Sequence, residues 1–328
     1  MSLSLAISPC PNDTFTFDAL VHGRVDGAPA IEVTYADVDV TNTAALDGAF
    51  DLVKVSYAAL PWLLGTYELL PCGGALGRGC GPLLLVRDES VAPQAATTGG
   101  ESTTPRAGTT GDESATPQAA TTGGESVLPQ AGLTGDASRA SLAGKTVAVP
   151  GDRTTAYLLL RLWAAGVPFA KIEIVPFHEI MPGVAAGTYD AGLVIHEARF
   201  TYPRYGLTAL VDLGEWWERD TGLPIPLGAI LAHRERVHAD AATEWVRDSV
   251  RQAWADPAAS EPYVLEHAQE MESDVVAQHI GLYVNGFTEA LGDEGYAAIR
   301  TLLNRAAAEG LVPPVPESAL TPSISSRP

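Results

Sequence analysis

Apolar and polar positions alternate in short blocks along most of this chain, with periods near 2 and near 3.6 residues. Apolar or alternating runs predict strands at residues 2–8, 31–37, 81–87, 145–151, 172–177 and 228–234. Helical patterns fall between them, at 15–23, at 41–50 with Thr41 as a candidate cap, and at 154–167. Residues 51–64 predict a strand entering a helix, 181–196 a helix followed by a strand, and helices continue to about Glu309. Strands that alternate with helices are typical of an α/β fold.

The segment 88–141 interrupts this pattern. Its prolines recur every twelve residues, in APQAATTGGEST, TPRAGTTGDESA, TPQAATTGGESV and LPQAGLTGDASR. It contains almost no large apolar residue, so it cannot bury enough surface to offset the entropy of ordering it. We predict a disordered surface insertion, because a repeating solenoid needs stacked apolar positions that are missing here.

The elements on either side of the insertion group into two lobes with a cleft between them. We assign 1–87 to the first part of lobe 1, 142–226 to lobe 2 and 227–310 to the second part of lobe 1. The chain would cross between the lobes near Val86, where the insertion would sit, and near Leu227. The proline-rich tail 311–328 is expected to be loose.

The chain has 328 residues and a net charge of −20, with 40 acidic residues against 20 basic ones. Such a surface repels nucleic acids and anionic membranes, so we expect neither as a partner. No apolar run is long enough to span a bilayer, and the N-terminus lacks the basic and apolar regions of a signal peptide, which favours a cytoplasmic protein. The sequence does not indicate an oligomeric state.

The three cysteines, Cys10, Cys72 and Cys80, have no metal-ligand spacing and are expected to be free thiols. The seven histidines are scattered and include no HExxH motif. We therefore predict no metal site.

Three strand ends carry residues suited to binding an anion, because ligands of α/β lobes meet the carboxyl ends of strands and the helix N-termini that follow. In SPCPNDTF, Asn12 and Asp13 either cap a helix or form a wall of the cleft. In KVSYAA, either Lys54 pairs with a carboxylate and Ser56 donates a hydrogen bond, or Lys54 is solvated and Ser56 caps a helix. In VPGDRTT, two threonines begin a helix, Thr154 and Thr155.

His196 ends the apolar strand of GLVIHEARFTYPRYG. It is either a structural histidine or a general base, since an imidazole titrates near neutral pH. Glu197 either orients it or faces solvent. Arg199 either orders the following loop or contacts the ligand, and Arg78 in GGALGRGCGP is a further candidate contact. From the residues alone, the cleft closes on a small anionic ligand, which fits an enzyme and a solute-binding protein.

Seven segments together resemble the 1,4-dihydroxy-6-naphthoate synthase family of the futalosine route to menaquinone. They are SPCPNDTF, KVSYAA, GGALGRGCGP, VPGDRTTAYLLL, GLVIHEARFTYPRYGL, VDLGEWWERDTGLPIPLGAI and YVNGFT. The resemblance implies a two-lobed fold like that of type II periplasmic-binding proteins. It also implies a carbon–carbon lyase that converts cyclic dehypoxanthine futalosine to 1,4-dihydroxy-6-naphthoate and releases a three-carbon fragment, dihydroxyacetone. This reaction is an elimination, so we expect no cofactor.

By the same resemblance, the proton acceptor is His196, and the substrate-binding residues are Lys54, Val55, Ser56, Thr154 and Thr155. The repeat insertion departs from the family pattern but removes none of these segments. Two alternatives stay open: chorismate dehydratase of the same pathway, and a non-catalytic cytoplasmic solute-binding protein.

The excess of acidic residues, with only three lysines, suits a salt-rich cytoplasm, where ions screen the self-repulsion of the surface. We therefore expect the melting temperature of the protein to rise between about 0.1 M and about 2 M salt. Thermal unfolding followed by circular dichroism measures this. A melting temperature without any preference for molar salt would contradict the halophilic interpretation.

Overall fold

The computed structural model describes residues 2–88, 135–268 and 272–321. Most of the predicted insertion and the last seven residues lie outside these ranges, so the predicted disorder of 89–134 is not tested. The described strands are β1 Leu3–Ile7, β2 Ile31–Tyr35, β3 Leu52–Ser56, β4 Tyr67–Leu69, β5 Ala75–Gly77, β6 Leu83–Arg87, β7 Thr146–Val149, β8 Lys171–Ile174, β9 Ala191–Val194, β10 Leu207–Asp212 and β11 Ile225–His233.

The described helices follow the strands in α/β order and then fill the C-terminal part. They are α1 Pro11–Val21, α2 Val38–Leu46, α3 Leu60–Leu63, α4 Gly135–Ala140, α5 Thr155–Trp163, α6 Phe177–Ala186, α7 Ala198–Thr201, α8 Leu213–Thr221, α9 Ala239–Ala255, α10 Pro257–His267, α11 Ser273–Tyr283, α12 Gly286–Glu289 and α13 Gly292–Ala308. None of the helices in the described ranges has both the length and the apolar character needed to cross a bilayer.

The strands form two sheets, which confirms the α/β class. The first has the order β2-β1-β3-β11-β4, with β5 also paired to β11, and the second has the order β10-β6-β9-β7-β8. In the first sheet β1 runs parallel to β2 and β3, whereas β11 runs antiparallel to β3, with Gly228 opposite Ser56. Strand β11 therefore brings the C-terminal part of the chain into the middle of the first sheet.

The pairing corrects the predicted lobe boundary at residue 87. Strand β6 pairs with β9 and β10, so it belongs to the second sheet, and the chain crosses between sheets in the short segment between Gly77 and Leu83. The strands on either side of the segment 88–141, β6 and β7, therefore both belong to the second sheet, and α4 lies in the described end of the segment. The predicted return near Leu227 is close to the observed one, because β11 begins at Ile225.

Several element boundaries also differ from the sequence patterns. Helix α1 begins at Pro11 with Cys10 as its N-cap, so Asn12 and Asp13 lie in the first turn and do not cap it. Helix α2 begins at Val38, which places Thr41 inside the helix. The tail is not loose as far as it is described, because Leu320 is buried and its carbonyl accepts a hydrogen bond from Arg300.

The two crossings between the sheets touch each other through glycines. A Cβ placed on Gly81 would lie 2.1 Å from the amide nitrogen of Gly214, which belongs to the second crossing. The Arg199 guanidinium joins the same point, donating to the Gly81 carbonyl at 2.9 Å and to the Asp212 carboxylate at 2.5 Å. The junction between the lobes therefore depends on two backbones in direct contact.

We expect Gly81→Ala to lower the free energy of unfolding by about 1–3 kcal/mol, because the added methyl group overpacks this junction. Urea denaturation measures the change. The matched control is Gly65→Ala, since a Cβ at Gly65 meets nothing within 4 Å. Equal stability of the two variants would show that the junction is not close-packed.

Candidate active site

A cleft between the two sheets collects most of the polar residues that the sequence singles out. The space between its walls, including the solvent at its mouth, is about 660 Å³. One wall carries Asn12, Asp13, Lys54 and Ser56 from the first lobe. The facing wall carries polar residues of the second lobe, Thr154, Thr155 and His196.

A buried ion pair lies on the first wall. The Lys54 ammonium group is 2.5 Å from Oδ1 of Asp13, and both side chains are almost fully buried. Ser8 donates to Asp13 twice, through its hydroxyl at 2.7 Å and through its backbone amide at 3.2 Å. The side-chain amide of Asn12 also donates to Asp13, at 2.8 Å. Both carboxylate oxygens are thus occupied, so Asp13 serves to neutralise and position Lys54.

A glycine makes room for the Lys54 side chain. Gly228 lies on β11 beside β3, and a Cβ at this position would come within 2.8 Å of Cε of Lys54. A side chain at this position would therefore push against the lysine. The ammonium group also donates to the Gly73 carbonyl at 3.4 Å.

Asn42 fixes the position of Ser56 through two hydrogen bonds. Its Oδ1 accepts from the Ser56 amide at 2.8 Å, and its Nδ2 donates to the Ser56 hydroxyl oxygen at 3.1 Å. A hydroxyl that already accepts a hydrogen bond keeps its own proton for another partner. Ser56 therefore offers the cleft a hydrogen-bond donor in a fixed position.

The N-terminus of α5 faces the same space. Thr154 is the N-cap and accepts from the Tyr157 amide at 3.2 Å. Thr155 donates through its hydroxyl to the Leu227 carbonyl at 2.8 Å, which joins the helix to the first lobe. The first amides of a helix have no partner within the helix, and Thr155 and Ala156, the first two residues of α5, line the cleft. Such a terminus favours an anion.

His196 follows β9 in an unusual backbone conformation. Its φ is 53°, and it is the one non-glycine residue in the described ranges with a positive φ. A conformation of this kind costs energy and persists where the surrounding structure enforces it, often at functional sites. The ring lies edge-on to Phe177, with centroids 5.8 Å apart, and parallel to His279 at 6.3 Å. No hydrogen bond from Glu197 to this ring is among the described contacts.

Cys80 and Tyr283 complete the cleft with groups that keep their protons. Burial raises the pKa of Cys80 to about 12, so it is a neutral thiol and not a nucleophile. Burial also raises the pKa of Tyr283 far above its usual value, with the nearby Cys80 adding to the effect. Both residues line the cleft as weak donors without charge.

Three predicted contacts lie elsewhere. Val55 alternates with Lys54 and Ser56 along β3, and its side chain packs in the hydrophobic core. Arg78 is exposed and pairs with Glu218 and Glu294. Arg199 is bound to Asp212 at the junction between the lobes.

The sequence patterns missed Ser8, Asn42 and His279, which hold the residues of the cleft in place. Asn42 lies on a short helix and His279 on a C-terminal one, with no motif of charge or spacing to mark them. In the described part of the chain no three His, Cys, Asp or Glu residues are grouped to hold a metal ion. A cofactor-free site stays a prediction.

Comparisons with known proteins show the family of the chain. A family model described as menaquinone biosynthesis matches residues 3–107 and 129–308, and thus passes over part of the repeat. A Streptomyces coelicolor protein named 1,4-dihydroxy-6-naphthoate synthase is 54% identical over 325 residues, which are 97% of this chain and 98% of that protein. A Thermus thermophilus protein of the same name is 42% identical over 317 residues, 96% and 97% of the two chains.

Solved structures give the fold. A crystal structure of an Archaeoglobus fulgidus protein superposes with a TM-score of 0.75 at 27% identity, covering 95% of this chain and 98% of that one. A Candida albicans protein described as having the generic periplasmic-binding-protein fold has a TM-score of 0.62 at 8% identity, covering 98% and 94%. The expected periplasmic-binding-protein-like fold is confirmed. Since the family model spans most of the chain and the relatives match it almost end to end, this protein belongs to the menaquinone biosynthesis family of enzymes.

Proposed function

We propose that the protein is a lyase that converts cyclic dehypoxanthine futalosine to 1,4-dihydroxy-6-naphthoate and releases dihydroxyacetone. The observation that carries the proposal is that His196 faces a single cleft together with Lys54, Ser56 and the N-terminus of α5. This combines a base with donors suited to an anionic substrate. The names of the two curated relatives support the same reaction.

The substrate carboxylate would be held between the free amides at the start of α5 and the Ser56 hydroxyl. Lys54 is neutralised by Asp13, so it adds a directed donor more than a net charge. His196 would remove a proton from the cyclised sugar, which starts ring opening and cleavage of the carbon–carbon bond. Aromatisation of the second ring supplies driving force, and contacts between the walls keep water away from the anionic intermediate.

The two alternatives predict other outcomes with the same cleft. Chorismate dehydratase would act on a smaller acid, and a solute-binding protein would bind the futalosine compound and return it unchanged. The relatives' names favour the synthase over both. The small anionic substrate and the cytoplasmic location stay predictions.

His196→Asn should lower turnover of cyclic dehypoxanthine futalosine by about 10²–10⁴-fold, the usual contribution of a general base. Asparagine tolerates the left-handed backbone of this position, so the fold should be kept. Product formation is followed by absorbance and mass spectrometry, and chorismate is supplied in a parallel reaction. The control is His178→Asn, which changes an exposed histidine of the same lobe. Near-normal turnover by His196→Asn would refute the base assignment.

Ser56→Ala should raise KM about tenfold and leave kcat largely unchanged, because it removes a donor to a charged group present before the reaction. Steady-state kinetics separates the two constants. Ser260→Ala is the matched control, since it also removes a buried hydroxyl, one that donates to Asp18 at 2.7 Å. If both variants shift KM equally, or neither does, Ser56 does not bind the substrate.

A further inference from the structure

His279 is a buried histidine behind the cleft that the proposed reaction does not use. It lies on α11 with its side chain fully buried, and its ring packs 4.6 Å from that of Tyr283. Its Nε2 is 2.9 Å from Oδ1 of Asn12, a residue that lines the cleft. Among the described contacts, its hydrogen bond to the cleft is the one with the Asn12 amide.

The direction of this hydrogen bond follows from the groups around it. The Asp13 carboxylate accepts hydrogen bonds from Lys54 and Ser8, and as an ionised group it has no proton to donate. Asn12 must then turn its Nδ2 towards Asp13, at 2.8 Å, and its Oδ1 towards His279. For this contact to be a hydrogen bond, the proton of His279 must be on Nε2.

The second ring nitrogen agrees with this tautomer. Nδ1 of His279 is buried and has no hydrogen-bond partner among the described residues. A buried N–H without an acceptor would cost about 1–3 kcal/mol, so Nδ1 is favoured as the unprotonated nitrogen of the ring. Burial, followed by the nearby His196, lowers the pKa of His279 well below its usual value, which leaves the ring neutral with one proton.

This arrangement leaves Asn12 with one uncommitted donor. An amide group has two N–H bonds, and one of them points to Asp13. No described residue accepts the second, and the side chain lies on the cleft wall. Its two anchors, Asp13 and His279, fix the plane of the amide.

We propose that Asn12 donates this N–H to a substrate oxygen on which negative charge develops, and that His279 is a positioning residue that holds the amide in place. The inference rests on the proposed function. When His196 takes a proton, the electron pair of the broken bond stays on the substrate and settles on an oxygen. A donor fixed in advance stabilises that charge without the cost of reorientation.

Kinetics of four variants tests this inference. Asn12→Leu should lower kcat about 10²–10³-fold, as loss of one such donor does elsewhere, with little change in KM. His279→Phe keeps a ring but removes one anchor, and should lower kcat about tenfold. His279→Gln supplies a new N–H and should recover most of the loss. The double variant Asn12→Leu/His279→Phe should be no slower than Asn12→Leu alone, because His279 acts only through Asn12.

His233→Phe is the matched control, since it replaces another buried histidine, one that packs against Tyr67 in the first lobe away from the cleft. It should keep normal kcat. Unchanged kcat in His279→Phe, or losses that multiply in the double variant, would overturn the inference. If Asn12→Leu does not fold, the inference is tested by comparing kcat of His279→Phe with kcat of His279→Gln.

A nitrogen-15 spectrum of the imidazoles separates this inference from the proposed function. His279 should show the neutral Nε2–H tautomer at both about pH 6 and about pH 8. A proton on Nδ1 overturns the inference even in an active enzyme. A wild-type protein that produces no 1,4-dihydroxy-6-naphthoate overturns the proposed reaction, and with it the role of Asn12 in catalysis. Turnover with normal kcat in His279→Phe overturns the inference alone.

Discussion

The buried ion pair between Lys54 and Asp13 is the interaction on which the organisation of the cleft depends. Removing one partner of such a pair generally costs about 3–5 kcal/mol, because the remaining charge is left buried without compensation. The pair joins the end of β3 to the first turn of α1, and through Ser8 it also fixes the end of β1. The orientation of Asn12 follows from it. Four N–H and O–H groups, from Lys54, Ser8 and Asn12, donate to the Asp13 carboxylate, so these residues hold one another in place.

Neutralising the lysine also changes how the cleft attracts an anion. With Asp13 beside it, Lys54 contributes little net charge, and the attraction depends on N–H and O–H groups in fixed positions. Ser56 is fixed by Asn42 and Asn12 by His279, so two amide side chains play the same role on the same wall. Donors fixed in this way suit a charge that appears during a reaction.

Local patterns were sufficient to predict much of this structure. The strand ends that carry Lys54, Ser56 and His196 were predicted because apolar runs stop there, and the threonines of α5 because a glycine turn precedes them. Local patterns could not show that β6 pairs with β9, since strand pairing depends on residues about a hundred positions away. The partners of Arg78 and Arg199 could not be predicted for the same reason, because Glu294 and Asp212 lie on other elements. No local sequence pattern marks Asn42 or His279, because their roles depend on hydrogen bonds to residues on other elements.

The order of the strands along the chain has a consequence for synthesis on the ribosome. Every described strand of the second sheet lies between Leu83 and Asp212, so that sheet can pair fully before later residues emerge. The first sheet cannot, because β11 is its inner strand and follows all of lobe 2. Domains generally fold as units during translation. The nascent chain would therefore carry a folded second lobe beside exposed edges of β3 and β4 until β11 has been synthesised. During this time the new protein would have most need of chaperones.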